Sequence, residues 1–310
     1  MHTLHARINT GLLVFIALTG IVLVTMLATR AYGGPLDPPG APAPTMKTLQ
    51  QVEPRTPISQ PVSFPIQINA PGSYYFTENI TGVISQHGIV INADNVTLDL
   101  NGFTLSGLSV GLAGITDNST RRTNITIRNG TVRAWGSGVY TPLSTRSRYE
   151  DLTVTDNTNF GMSIGSGSNV RRLAAWTNAT GLRIQQVSDA WGAIVEDSNF
   201  NRNTTQGINL AANNVWVHDN VIDSNGAGIV IPIGSDYDEI TDNRVTGNAG
   251  AGIYMEGNHH VVLRNVTDAN WPSYPFPCIC KEIADLGAGN IVGPLQQSPS
   301  TDPNANIGFP

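Results

Sequence analysis

The chain is poor in positive charge. It contains 17 lysine and arginine residues against 23 aspartate and glutamate residues, for a formal net charge of −6, and only Lys47 and Lys281 are lysines. Proteins that bind nucleic acid do so through dense positive charge. The deficit therefore argues against nucleic acid as a partner.

Cysteine is equally scarce. Cys278 and Cys280 are the only cysteines, and a bond between residues so close together is strained, because a disulfide prefers Cα atoms about 5.5 Å apart. A strained bridge, a pair of free thiols and an intermolecular link all stay open. Two thiols without further ligands nearby are too few for a metal site.

Two familiar repeat patterns are also missing, namely the 3.6-residue apolar stripe of helical repeats and the Leu-x-x-Leu-x-Leu frame of leucine-rich repeats. A glycine followed by an aliphatic residue recurs instead. The starting glycines, spaced by 20 to 26 residues, are Gly88, Gly114, Gly138, Gly161, Gly181, Gly207, Gly228 and Gly252. A period of this length is typical of a solenoid, whose units must stack to bury their apolar faces.

Within each repeat, apolar and polar residues alternate, as in Val96, Leu98 and Leu100. A period of two predicts strands rather than helices. Two such runs and a third short apolar position occur per repeat, which predicts three short strands per coil. Glycine, asparagine, aspartate, serine and threonine fill the joints, as expected for tight bends.

Asparagines recur in pairs five residues apart, late in the repeat. The pairs are Asn220 with Asn225, Asn243 with Asn248, and Asn265 with Asn270. Stacked at one corner, their amides would form ladders along the solenoid. Asn-x-Thr/Ser triplets also result, and we interpret them as a consequence of this repeat rather than as glycosylation sites; they begin at Asn95, Asn118, Asn124, Asn129, Asn178, Asn203 and Asn265.

The strings GSYYFTENITG, HGIVINADNVTLDLNGFTLSG and NITIRNGTVRAWGSGV resemble secreted bacterial parallel β-helix repeat proteins of the pectin-lyase-like superfamily. The resemblance covers roughly residues 61–270. It implies an all-β fold, a single right-handed parallel β-helix with about eight recognisable coils and capping ends. It implies little about function, because one fold hosts many sites.

The ends of the chain divide it further. Residues 1–31 contain an uncharged stretch from Ile8 to Thr29, which predicts a signal peptide or an uncleaved N-terminal anchor. A linker rich in proline and glycine follows over 32–60. We expect the β-helix with its N-terminal cap over 61–270, and a C-terminal capping segment with a polar tail over 271–310. The protein is thus expected to be secreted or at the cell surface, with a membrane link only through an uncleaved N-terminal segment.

Outward positions of aligned strands give candidate site residues. The strands are aligned on their first apolar residues, which are Val96, Ile125, Leu152, Ala193, Val215 and Val261. The alignment predicts one outward column, which contains Asp99, Arg128, Thr155, Glu196, His218, Thr241 and Arg264. The neighbouring column contains Thr97, Thr126, Thr153, Ile194, Trp216, Glu239 and Val262. This predicts substrate contacts at Trp216, Glu239 and Arg128, with catalytic candidates Glu196, His218, Asp219 and Arg264. The alternative is a solvated face with weak charge pairs.

Metal and cofactor signals are weak. Asp236, Asp238 and Asp242 crowd one stretch, and calcium takes oxygen ligands of this kind, but the spacing matches no calcium motif. No other cofactor is predicted.

The expected function is a non-catalytic binding or structural role with a polysaccharide or a cell-surface protein. A polysaccharide lyase or glycoside hydrolase with a diverged site is the alternative. The sequence lacks the Asn-Thr-Asp, Asp-Asp, Gly-His-Gly and Arg-Ile-Lys signatures of galacturonan hydrolases, and no lysine is available in the coil as an eliminating base.

Overall fold

The structure is a computed structural model. It describes residues 14–26, 54–108, 112–190, 192–270, 282–296 and 302–308.

The chain divides into two compact units, residues 1–53 and 54–310. The described part of the first unit is a helix, α1, over residues 14–26, and its side chains are exposed. Among the described residues, no helix combines the length and the hydropathy that crossing a bilayer requires. The predicted cleavage region near Ala31 and most of the predicted linker lie outside the described residues.

The second unit is a β-solenoid, which confirms the predicted right-handed parallel β-helix. Strand pairing between successive coils is parallel throughout the described part of this unit. One sheet, called sheet B here, takes one strand from each coil. Its strands are β2 (Ile66–Ile68), β5 (Ile89–Ile91), β8 (Ala113–Thr116), β10 (Ser137–Thr141), β12 (Phe160–Gly165), β14 (Thr180–Gln185), β17 (Gln206–Ala211), β20 (Ala227–Ile231), β23 (Ile253–Met255) and β26 (Ile283–Asp285).

The other sheet, sheet A, contains two rows of strands. The first row is β1 (Thr56–Ile58), β3 (Gly72–Phe76), β6 (Val96–Asp99), β9 (Ile125–Arg133), β11 (Arg148–Thr155), β13 (Asn169–Trp176), β15 (Ala193–Glu196), β18 (Val215–His218), β21 (Glu239–Thr241), β24 (Val261–Leu263) and β27 (Ile291–Val292). The second row is β4 (Ile80–Thr81), β7 (Thr104–Ser106), β16 (Asn199–Asn201), β19 (Val221–Asp223), β22 (Arg244–Thr246), β25 (Val266–Asp268), β28 (Leu295–Gln296) and β29 (Asn306–Gly308). The long strands β9, β11 and β13 run through both rows.

The core lies between the two sheets and follows the predicted alternation. In sheet B, Leu182 stands in register with Ile208, and Ile208 with Ile229. All three are fully buried, as is Val217 of the first row of sheet A. Successive strands of a sheet lie about 4.8 Å apart, so equivalent side chains stack along the axis.

The recurring glycines form a stack at the start of the sheet B strands, where neighbouring coils approach most closely. A Cβ atom added at Gly181 would lie 2.6 Å from the carbonyl oxygen of Gly207, and one at Gly228 would lie 2.2 Å from that of Gly252. Side chains are excluded at such distances. The repeat therefore requires glycine because of close backbone approach.

The predicted asparagine ladders are present. Nδ2 of each asparagine donates to Oδ1 of the next at 2.8–3.0 Å in a ladder of Asn157, Asn178, Asn203, Asn225, Asn248 and Asn270. A second ladder, with distances of 3.0–3.1 Å, contains Asn220, Asn243, Asn265 and Asn306. The triplet asparagines Asn178, Asn203 and Asn265 are buried in these ladders.

Strands occur on both sides of the predicted 61–270 span. At the N-terminal side, β1 pairs with β3. At the C-terminal side, β26, β27 and β29 pair with β23, β24 and β25, so residues expected to form a cap add a further coil. Cys278 and Cys280 lie outside the described residues.

Candidate functional site

The candidate site lies on the outer face of sheet A, around strand β18. Val215 and Val217 of this strand point into the core, so Trp216 and His218 point outward. Their rings lie against each other, with centroids 4.1 Å apart and planes inclined by 34°. The Trp216 Nε1–H donates to Thr241 Oγ1 on the next coil at 3.2 Å. The indole is 42% exposed, so part of its surface stays open to solvent.

His218 lies between two carboxylates. Its Nε2 is 3.5 Å from Oε2 of Glu196, which is the register partner on the preceding coil, and its Nδ1 is 2.8 Å from Oδ2 of Asp219. Only an imidazole that carries protons on both nitrogens can donate in both directions. On its other side, Glu196 lies 3.5 Å from Nε of Arg171. The imidazole thus lies in a row of ionisable side chains that runs along the coil axis from Arg171 through Glu196.

Asp219 is placed by the corner between the two rows of sheet A. Its φ is 56°, in the left-handed region that aspartate and asparagine tolerate better than most residues. The same corner on other coils holds Asp197, Asp242 and Arg264, each also with positive φ. The corner therefore forms a column of charged residues directly beside the outward column of His218.

Arg264 is engaged within this corner column. Its Nε and Nη2 donate to the two carboxylate oxygens of Asp242 at 2.8 and 2.7 Å. This bidentate hydrogen bonding is the main cause that lowers the pKa of Asp242, and it raises the pKa of Arg264. Arg264 is thus committed to a neighbour and does not reach His218.

The model of one protein family, described as the periplasmic copper-binding protein NosD, matches residues 108–270. This span is more than half of the 310 residues and includes every residue of the predicted sites. The chain belongs to the NosD family. The description of the family as periplasmic agrees with the predicted export.

Among solved structures, the A-module of the Azotobacter vinelandii mannuronan C-5 epimerase AlgE6 is similar to this NosD-family chain. The two are 13% identical, the match covers 83% of this chain and 89% of that chain, and the TM-score is 0.45. No curated protein matches the chain.

The predicted site residues of this NosD-family protein are only partly brought together. Trp216, His218, Glu196 and Asp219 form one cluster. Glu239 stands in register with Trp216 on the next coil and is exposed, so it borders the cluster. Arg128 lies three coils before Glu196 in the same column, bound to Asp99 at 3.1 Å.

The predicted columns contain two errors of register. The position assigned to Thr155 is occupied by Glu150, and that assigned to Thr153 by Arg148. In the coil of β24, the outward position assigned to Arg264 is occupied by Leu263. The outward position assigned to Val262 is occupied by Val261, since Val262 is buried. The corrected outward column contains Asp99, Arg128, Glu150, Arg171, Glu196, His218, Thr241 and Leu263.

The error in the coil of β24 is caused by a polar residue at an inward position, His260, and Asp238 is a similar residue one coil earlier. Asp238 and His260 open the strands of their coils and are buried at 1% and 0% exposure. Each side chain accepts a hydrogen bond from a backbone N–H group of the preceding coil. Asp238 Oδ1 accepts the N–H of Val215 at 2.8 Å, and His260 Nδ1 accepts the N–H of Asp238 at 3.1 Å. In the coil of His260, an alignment on apolar residues therefore starts one residue late, at Val261, whereas Glu239 and Thr241 beside Asp238 are correctly placed. In the coil of β11, counting from Leu152 gives Thr153 and Thr155, which pair with residues of β9 in the second row of sheet A.

Burial makes Asp238 and His260 neutral near pH 7. Loss of solvent raises the pKa of Asp238 to about 8 and lowers the pKa of His260. Their closest nitrogen and oxygen, Nδ1 and Oδ2, are 3.4 Å apart, a contact between neutral groups rather than an ion pair.

The aspartates considered for calcium do not converge. Asp238 lies inside the coil, Asp242 is bound to Arg264, and Asp236 accepts the backbone N–H of Asn258 at 2.9 Å. Among the described residues, no three His, Cys, Asp or Glu side chains are grouped closely enough to hold a metal ion. The three aspartates therefore do not form the calcium site that the sequence suggested.

Sequence reasoning missed Arg171 and Asp197. Arg171 Nε lies 3.5 Å from Glu196 and 3.3 Å from Oδ2 of Asp197, so it fixes the carboxylate that faces His218. The signal was present in the Arg171-Arg172 pair, but the predicted columns omitted the coil of β13, to which Arg171 belongs.

Proposed function

We propose that this protein is an exported, non-catalytic β-helix protein that binds a neutral glycan on the outer face of sheet A around Trp216. The observation that carries the proposal is the partly exposed indole, held in place by Thr241 and by the ring of His218. A fixed aromatic face offers apolar area to the C–H face of a sugar at little entropic cost.

The groups around the indole suit hydroxyls rather than acidic sugars. Glu196, Asp219 and Glu239 border it and are acceptors for sugar hydroxyl protons. The nearby cations Arg171 and Arg264 are already paired with carboxylates. A second negative charge from an acidic ligand would therefore be repelled, whereas a neutral chain finds both an apolar surface and acceptors.

The pairing of the charged groups also supports binding rather than turnover. A general acid or base must be free to reach the substrate. Glu196 is shared between Arg171 and His218, and Asp219 contacts His218 Nδ1.

One observation favours the second candidate, a polysaccharide lyase or hydrolase: an imidazole beside a carboxylate is a common arrangement for proton transfer.

The family description mentions copper, but the described residues do not fit a copper site. Copper prefers imidazole, thiolate and thioether ligands. His218 lies between two carboxylates, His260 is buried with Nδ1 already bonded, and Met162 and Met255 are fully buried in the core. We derive no role for copper from these residues.

The proposal is tested by retention of the protein on immobilised neutral and acidic polysaccharides. We expect retention on a neutral one, weakened about tenfold by Trp216→Ala, which corresponds to ~1.4 kcal/mol. Trp176→Ala is the matched control, because Trp176 is 46% exposed on the same sheet but lies on the long strand β13, away from His218. Equal weakening by both substitutions, or none by either, would contradict the site.

The same samples separate binding from turnover. Absorbance of unsaturated products and release of reducing ends are followed over hours. We expect no turnover. Product formation that His218→Gln abolishes would instead establish the lyase or hydrolase.

A further inference from the structure

The outer face of sheet B differs from the Trp216 face in its charge. Strands β10, β12, β14 and β17 read SGVYT, FGMSIG, TGLRIQ and QGINLA, without a single acidic residue and with one cation, Arg183. In the part of the chain that the structure describes, Arg183 forms no ion pair. Its guanidinium lies over the ring of Phe160, whose centroid is 5.6 Å from Arg183 Cζ.

Aromatic rings surround this cation. Phe160 stacks with Tyr140, with centroids 6.5 Å apart and an interplanar angle of 27°. Register places Tyr140, Ser163 and Arg183 in one outward column on three successive coils. The guanidinium and the two rings thus lie around the same point on the sheet.

Ser163 supplies an independent observation. Its neighbours Met162 and Ile164 are core residues, so its side chain points outward, yet it is only 1% exposed. Its Oγ has no hydrogen-bond partner in the described structure. A buried hydroxyl without a partner costs about 1–3 kcal/mol, so such groups call for an explanation.

We propose that Arg183, Ser163 and the Tyr140–Phe160 pair form a second binding site, for a ligand that carries a carboxylate on a ring with an apolar face. The guanidinium binds the carboxylate, the serine hydroxyl donates to one of its oxygens, and the aromatic pair takes the ring face. Tyr140 and Arg183 are half-buried. In the proposed complex their long side chains move apart so that the ligand reaches Ser163. Gln206 and Asn209, hydrogen-bonded to each other at 2.8 Å on the next coil, extend the polar floor.

The site is independent of the glycan site proposed on sheet A. The two stand on different sheets and differ in sign, since acidic groups border Trp216 whereas no acidic residue lies on the four strands around Arg183. Failure of either proposal therefore leaves the other intact.

The test is calorimetric titration of the purified chain with two pairs of probes. The aromatic pair is 4-hydroxybenzoate and 4-hydroxybenzamide. The sugar pair is trigalacturonate and maltotriose, titrated into Trp216→Ala so that the neutral-glycan site proposed on sheet A does not contribute. We expect at least one acid to bind and its neutral counterpart to bind at least about tenfold more weakly. The acid that binds identifies whether the ring is aromatic or a sugar. Equal binding of acid and neutral probe, or binding of none, would overturn the proposal.

Variants locate the binding. Arg183→Gln should weaken acid binding by about tenfold or more, and Arg183→Lys should weaken it less, because lysine keeps the charge without the planar fork. Ser163→Ala should weaken it several-fold. Arg244→Gln, an exposed arginine on sheet A, is the control and should change nothing. Melting temperatures confirm that each variant is folded. Wild-type affinity in folded Arg183→Gln, or an equal loss in Arg244→Gln, would refute the site.

Discussion

The outer faces of the two sheets stand on the same core and use charge in opposite ways. On sheet A, acidic and basic side chains alternate along one column from Asp99 through Arg128, Glu150 and Arg171 to Glu196. On the central strands of sheet B, uncharged side chains surround a single cation, Arg183.

This difference in charge indicates where a solenoid can form a binding site. Register places side chains of neighbouring coils about 4.8 Å apart, so opposite charges in successive repeats neutralise one another. Binding capacity remains where this alternation fails. On sheet A it fails at Trp216, which interrupts the charges with an aromatic surface, and on sheet B at Arg183, whose charge has no partner among the described residues.

The outer faces of both sheets are supported by the same core, and disruption of the glycine stack in that core should have the largest effect. In Gly228→Ala, the new Cβ would lie 2.2 Å from the carbonyl oxygen of Gly252 and 2.7 Å from Val245 Cγ1. We expect a loss of more than about 3 kcal/mol in the free energy of unfolding, because backbone must move. Denaturant unfolding measures it. Val230→Ala, half-buried in the same strand, should cost under about 1 kcal/mol; equal losses would disprove the stack's importance.

The asparagine ladder beneath sheet A is the corresponding support on the other side. Asn243 Nδ2 donates to the carbonyls of Val217 and Thr241 and to Asn265 Oδ1. Asn243→Ala leaves these buried acceptors short of a donor, and we expect a loss of about 3 kcal/mol in denaturant unfolding. Asn199→Ala, exposed in the second row of sheet A, serves as the control. A loss below about 1 kcal/mol for Asn243→Ala would show that the ladder is dispensable.

These supports were the part of the fold that sequence could predict. Glycines and asparagines recur because each coil meets the next in the same way, so a local pattern reports a long-range contact. The strands followed from alternation, and Trp216, His218 and Glu196 were correctly placed because their coils open with Ala193 and Val215, which are apolar.

The rest depended on contacts that no pattern reports. His260 occupies an inward position because it accepts a backbone N–H group of the preceding coil, so counting from apolar residues shifted Arg264 into the wrong column. No sequence pattern predicts the role of Arg183, since its distinction is the lack of an acidic partner. That property belongs to the assembled sheet and not to the repeat.

The buried carboxyl of Asp238 contrasts with the exposed carboxylates of sheet A, and pH sharpens the contrast. Burial raises its pKa from 3.8 to about 8, so the folded protein retains a proton that the unfolded chain loses. Stability from this group is therefore complete below the unfolded pKa and falls as pH rises toward about 8. Asp238→Asn keeps the acceptor for Val215 and removes the titration.

We expect the stability of Asp238→Asn relative to wild type to increase by roughly 3–4 kcal/mol between pH 5 and pH 8. Unfolding by denaturant at the two pH values measures this change. Val230→Ala, which removes no ionisable group, is the control and should change the stability equally at the two pH values. A wild-type dependence on pH that persists in Asp238→Asn would assign the effect to another group.

The smallest change in the free energy of unfolding is expected from the ion pair of Asp242 and Arg264 on sheet A. Its measurement tests whether the charged side chains of this face stabilise the fold. Asp242 and Arg264 are bidentate but 39% and 41% exposed, and pairs of this kind contribute about 0.2–1 kcal/mol. Because its pKa is lowered, Asp242 contributes above its unfolded pKa, and the contribution is lost as pH falls through the folded value. A double-mutant cycle with Asp242→Asn and Arg264→Gln should give a coupling below about 1 kcal/mol at pH 7 that largely disappears in 1 M salt. A larger coupling that resists salt would mean that the alternating charges help to hold the coils together, and the contrast between the two faces would then concern stability as much as recognition.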